Sequence, residues 1–162
     1  MKKITISALS IVLISTLYFG CTSNVKVEEP SKISEAALET IIKSQVDSLY
    51  ANYEKFGYDW IEFYADEFTA IYPDTPIKKI TKDSLISQWD KIYDIYDVQL
   101  LDRGKPSVIV SEGMAISYNS FNEIFINKVT SDTIKNVGTY IINWKRQPDD
   151  SWKIVFETLH NN

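Results

Sequence analysis

The chain has one cysteine and one histidine among its 162 residues. A single cysteine excludes an internal disulfide. With one histidine beside it there is no Cys/His set for zinc, and no carboxylate spacing resembles a calcium loop, so no metal is expected. There is no glycine-rich phosphate loop and no Gly-x-Ser-x-Gly elbow, so no known motif would hold a cofactor and none is expected. Lys and Arg number 17 against 22 Asp and Glu, without a basic cluster. Neutralising phosphates requires Lys and Arg, so nucleic acid is not an expected partner. There is no internal repeat, and the one extended apolar run stands at the N-terminus.

That run has three parts. Lys2 and Lys3 precede an apolar or small stretch from Ile4 to Phe19, which Gly20 and Cys21 close. This is the order of a secretory signal, and it is short for a membrane span, which takes about 20 apolar residues. A small residue directly before the cysteine matches the bacterial lipobox, with Tyr18 at the usual leucine position and Leu17 one place earlier. The expected organisation is a signal peptide over 1–20, lipid on Cys21, a polar tether over 21–33 and one domain over 34–162. Lipidation would also remove the liability of a lone thiol in an oxidising compartment. The membrane, reached through that lipid, is the first expected partner. Thr22, rather than aspartate, after the cysteine points by analogy with lipoprotein sorting to the outer rather than the inner membrane of a bacterial cell envelope. Loss of Lys2 and Lys3 takes the 17 basic residues to 15 against 22 acidic, a charge of −7.

Ser34 is placed to cap a helix carrying Leu38, Ile41, Ile42, Val46, Leu49 and Tyr53 at three- and four-residue spacing, ending at Gly57. A second, shorter helix is expected from about Asp59 to Ala65, with Asp59 as its cap. A strand follows over 68–72, then a turn at Pro73-Asp74-Thr75-Pro76. Thr81 should cap a third helix with Leu85, Ile86, Trp89, Ile92 and Tyr93 as its apolar face. Beyond Asp97 all is strand: 98–103, 107–110, 114–127, 133 or 137 to 146, and 152–160, with a tight turn at Gln147-Pro148-Asp149-Asp150. Helices segregated from strands imply an α+β fold.

Two stretches carry a family resemblance. Tyr64-Ala65-Asp66-Glu67-Phe68-Thr69-Ala70-Ile71-Tyr72-Pro73 resembles the junction between second helix and first strand in the nuclear transport factor 2-like superfamily. Gly138-Thr139-Tyr140 through Trp144, followed by Pro148-Asp149-Asp150-Ser151-Trp152-Lys153-Ile154, resembles its terminal hairpin. This superfamily includes ketosteroid isomerases and SnoaL-type polyketide cyclases. The resemblance spans about residues 34 to 160 and implies a cone: a curved antiparallel sheet wrapped around three N-terminal helices, hollow at its open end. It also implies where isomerase chemistry would sit. Counting from Tyr64-Ala65-Asp66, the catalytic aspartate falls at Tyr72. The oxyanion tyrosine falls at Tyr50, and its partner acid near Thr139. A phenol titrating near ~10 is a poor base at neutral pH, so one of three parts is kept and activity of that kind is not expected. Asp66 is expected to cap backbone N–H groups at the junction. The superfamily's dehydratases use more than one histidine, which this chain lacks.

Aromatic residues make up 13% of the chain, enough to line a cavity or thicken a core. The candidate pocket set is Tyr50, Trp60, Tyr64, Tyr72, Trp89, Tyr93, Tyr118, Tyr140, Trp144 and His160. His160 enters because it is in phase with Trp152, Ile154, Phe156 and Thr158 on a two-residue repeat. Plain core aromatics and an exposed terminal histidine are the simpler alternatives. Glu123 would be a base if buried and a solvated strand carboxylate if not. The expected function is a non-catalytic domain binding a small apolar or amphipathic molecule. The alternatives are an assembly module of an envelope complex, dimerising through its sheet, and an enzyme of unknown reaction using His160, Glu123 or Tyr50.

Overall fold

The computed structural model describes residues 33–73 and 75–161. The signal peptide, Cys21 and nearly all of the tether lie outside the described residues. Helix α1 spans Glu35–Tyr53, and the Ser34 side chain caps it by accepting the Ala37 N–H at 3.3 Å. Its stripe buries Leu38, Ile42, Val46, Leu49 and Tyr50, the i, i+4 pattern of one helical face. A short 3-10 helix, Asp59–Phe63, leads into β1 (Tyr64–Ile71) and then β2 (Lys78–Thr81). Helix α2 covers Lys82–Ile95, with the Thr81 hydroxyl accepting the Ser84 N–H at 3.2 Å. The remaining strands are β3 (Tyr96–Arg103), β4 (Ser107–Val110), β5 (Met114–Asn127), β6 (Thr133–Arg146) and β7 (Trp152–Asn161).

All seven strands form one open sheet in the order β2-β1-β7-β6-β5-β3, with β4 also pairing β5. The long strands β5, β6 and β7 form an antiparallel meander, and β1 lies parallel to β7. The core gathers between the helices and one face of this sheet. Ile42, Val46, Ile61, Ile142, Trp144 and Ile154 are among its fully buried side chains.

The expected curved antiparallel sheet wrapped around three N-terminal helices is corrected on three points. The sheet is mixed, because β1 runs parallel to β7. It is open rather than wrapped: β2 and β3 end the strand order and do not pair among the described residues. The described residues hold two α-helices, the second of which follows β2. The segment expected as another helix makes only five residues of 3-10 helix, begins at Tyr58 without a side-chain cap, and leaves Asp59 exposed. Strand alternation reports which face a side chain takes but not the direction of the partner strand. A parallel partner requires a long crossover, and here the whole chain between β1 and β7 supplies it.

One irregularity matters for the site. Asn143 pairs with Phe156, but Trp144 pairs with Ile154, so Val155 is an extra residue in β7. A bulge of this kind reverses the side-chain phase beyond it. Trp152 and Ile154 point into the core before the bulge; after it Glu157 is buried and His160 is exposed.

Candidate functional site

A cavity of about 500 Å³ lies between α1, the 3-10 helix, α2 and the inward face of the sheet. Exposed residues Pro73, Gln88 and Asn161 stand at its rim. Its wall is aromatic: Tyr50, Tyr53, Trp60, Tyr64, Tyr72, Trp89, Phe121, Phe125 and Tyr140. Tyr53, Trp60 and Trp89 meet edge to face, with centroids 5.4–5.6 Å apart and planes at 77–82°, a favoured arrangement for ring quadrupoles.

Two carboxylates face this aromatic space. Glu157 on β7 is 2% exposed and is surrounded by phenols. Tyr64 donates to its Oε2 at 2.6 Å, Tyr140 donates to the same oxygen, and Tyr72 donates to Oε1. The Tyr64 and Tyr140 hydroxyls are themselves 2.7 Å apart. The sequence brings these groups together through register: Tyr140 lies opposite Leu159, Ile142 opposite Glu157, and β1 beside β7. Burial pushes the Glu157 carboxyl above the ordinary carboxylate range, against the three phenol hydrogen bonds that favour its ionised form. Burial, and then the nearby Glu157 charge, raise the titration of Tyr64, Tyr72 and Tyr140. All three are therefore hydrogen-bond donors at neutral pH.

Glu123 on β5 is 8% exposed. Its Oε2 accepts from the Tyr53 hydroxyl at 2.8 Å and its Oε1 from Asn136 Nδ2 at 2.6 Å. Burial raises its titration too, opposed by those two bonds. Tyr50 lies deeper along α1, where its hydroxyl accepts from Asn119 Nδ2 at 2.9 Å. Burial pushes Tyr50 up to about 12, against the Asn119 bond. On its ring the Arg103 guanidinium lies 4.9 Å from the centroid, itself paired with Asp47 at 2.7 Å. Among the described residues no group of three or more His, Cys, Asp or Glu could hold a metal.

Of the candidate pocket residues, Tyr50, Trp60, Tyr64, Tyr72, Trp89 and Tyr140 line the cavity. The other four do not. Trp144 is fully buried, opposite Ala115, and gives its indole N–H to Ser117 Oγ at 2.8 Å. Tyr93 is turned toward Tyr58 and Trp89. Tyr118 is exposed, because β5 turns its odd-numbered residues inward and its even-numbered ones out. His160 is exposed because the Val155 bulge reverses its phase. Asp66 is exposed on β1, 4.0 Å from Lys82, instead of capping the junction. Thr139 pairs with His160 and is absent from the cavity lining.

Glu157, Tyr53 and Asn136 are site residues that the sequence did not single out as such. Glu157 carried a signal: it is the one acid inside the apolar strand Trp152–Asn161. Read on an unbroken two-residue repeat, however, it falls on the outward face. Tyr53 was legible only as part of the apolar stripe of α1.

No family model matches the chain, and no curated protein sequence does. Solved structures do. A nuclear transport factor 2-like superfamily protein from Salmonella enterica superposes with a TM-score of 0.64 at 12% identity, over 79% of this chain and 93% of that one. A nuclear transport factor 2-like protein of unknown function from Pseudomonas putida gives 0.62 at 13%, over 76% and 86%. A ketosteroid isomerase-like protein from Erwinia carotovora gives 0.59 at 12%, over 76% and 95%. The fold is the nuclear transport factor 2-like fold. Identities this low speak for the fold alone, and that fold hosts unrelated functions.

Proposed function

We propose that this domain is a non-catalytic binding module for a small apolar or amphipathic molecule, held at the bacterial envelope, outer membrane preferred, by lipid on Cys21. The observation that carries the binding reading is the aromatic cavity of about 500 Å³. That volume falls within the ~300–1,000 Å³ of small-molecule sites, which combine apolar walls with a few placed polar groups. The non-catalytic part rests on Tyr72. At the position where the isomerase resemblance calls for a base, its phenol is committed as a donor to Glu157. The envelope part rests on the Lys2-to-Cys21 segment of the sequence. No helix among the described residues is long and apolar enough to cross a membrane.

The test is native mass spectrometry of the protein purified from its own envelope. The expected result is a bound mass that survives buffer exchange and is lost in Trp89→Ala. A clean unliganded protein would overturn the binding reading. The same spectra should show a diacylglyceryl mass on Cys21, abolished by Cys21→Ser.

A second reading, dimerisation through the sheet, is favoured by one observation. Ile109 and Ile116 pair across β4 and β5 with 60% and 37% exposure, beside Tyr118 at 41%. Sedimentation analysis of the wild type and of Ile109→Lys distinguishes it: a dimer that the substitution dissociates supports it, and a wild-type monomer at high concentration removes it.

A further inference from the structure

The charge balance of the cavity is one-sided. It contains two carboxylates, and among its described lining residues there is no Lys, Arg or His. Every hydrogen bond to these acids comes from a neutral group: three phenols on Glu157, and one phenol and one amide on Glu123. Taking a carboxylate out of water is costly unless a charge partner or a full set of donors replaces the solvent. Glu157 has three donors on its two oxygens. Glu123 has two, and an ionised carboxylate offers about four acceptor sites. So an ionised Glu123 keeps acceptor capacity open beside the cavity, with no cation among the described lining residues to fill it. The ring whose hydroxyl holds Glu123, Tyr53, meets Trp60 and Trp89, and indole faces are the best neutral surfaces for a cation.

Resting on the binding reading above, we propose that the ligand is a cationic amphiphile: an apolar body in the aromatic wall and an ammonium head seated on Glu123. An anionic head group would meet two acids and, among the described lining residues, no counter-charge, which disfavours carboxylate or phosphate ligands. An ammonium brings the missing charge and the missing donors together.

Three probes of one body separate these ideas: 3-phenylpropylamine, 3-phenylpropan-1-ol and 3-phenylpropanoate, titrated calorimetrically into the full chain at pH 7. The expected order is amine tighter than alcohol by about tenfold, and alcohol tighter than carboxylate, since a partly buried ion pair of about 1.4 kcal/mol gives a factor of ten. Glu123→Gln should weaken the amine at least fivefold and leave the alcohol within twofold. If the alcohol or the carboxylate binds as tightly as the amine, the cavity is a binding site and the charge assignment fails. If the variant keeps the full preference, the seat is not Glu123 and the proposal fails. If none of the three binds, the binding reading fails with it. The wild-type order decides the charge class even if the variant does not fold.

Discussion

Replacing Glu157 by glutamine isolates the energetic role of the buried carboxylate. In the folded protein burial holds the Glu157 carboxyl above its ordinary value. The folded state therefore keeps the proton to higher pH than the unfolded chain does. The stability this group contributes is full below the ordinary carboxylate value, and it is lost as pH rises from there through the raised folded value. The loss has a ceiling: one proton per molecule corresponds to a slope of about 1.4 kcal/mol per pH unit. Glu123 is shifted in the same direction by the same cause, so where both titrate together the wild-type slope can approach about twice that. Glutamine removes one of the two protons and keeps the shape. Near pH 5, just above the ordinary carboxylate value, the wild type has lost the least of that stability. Toward pH 8 the variant should gain on the wild type. At roughly 4 °C per kcal/mol for a domain of this size, the difference is readily measured. Urea unfolding of both proteins at half-unit steps from pH 5 to 8 reads it directly, with other acids common to both. A difference that does not change with pH, or that moves in favour of the wild type as pH rises, would refute the reasoning. It would mean that the three phenols outweigh burial.

Trp144→Ala empties a fully buried position and strips Ser117 of its donor; a loss of about 3–5 kcal/mol in unfolding free energy is expected. Gly138→Ala places a Cβ 2.1 Å from the His160 carbonyl oxygen and 2.9 Å from its carbon. That is backbone and cannot step aside, so β6 and β7 must part there, at a cost of about 1–3 kcal/mol. Faster amide exchange at 158–161 should accompany it. Ser34→Ala removes the α1 cap and should lower stability by about 1 kcal/mol; a thermal midpoint unchanged within error would show that the cap contributes nothing.

How far the sequence reached depends on whether a signal is local. Both α-helix starts were legible, because Ser34 and Thr81 bond to N–H groups three residues on. The strands 107–110 and 114–127 were legible because turn residues bound them on both sides. The five-residue 3-10 helix was not, since its apolar spacing fits a helical turn of either kind. Nor was β2, Lys78–Thr81, whose four residues form a strand only because β1 lies beside them. The Glu123 carboxylate illustrates the same division. The sequence could state that burial would raise it, while its burial depended on which face of β5 meets the helices.

The sequence by itself determined the Ser34 and Thr81 caps, the helical stripe of α1, the excess of acid and the aromatic supply, since each is a property of neighbours along the chain. Only the tertiary structure decided which residues meet. A parallel pairing of β1 with β7 and one extra residue at Val155 turn Glu157 toward Tyr64, Tyr72 and Tyr140 and turn His160 away. The physical reason is that a sheet's side-chain phase has period two. A single inserted residue exchanges inside for outside beyond it, and no local pattern in the strand reveals where that exchange occurs.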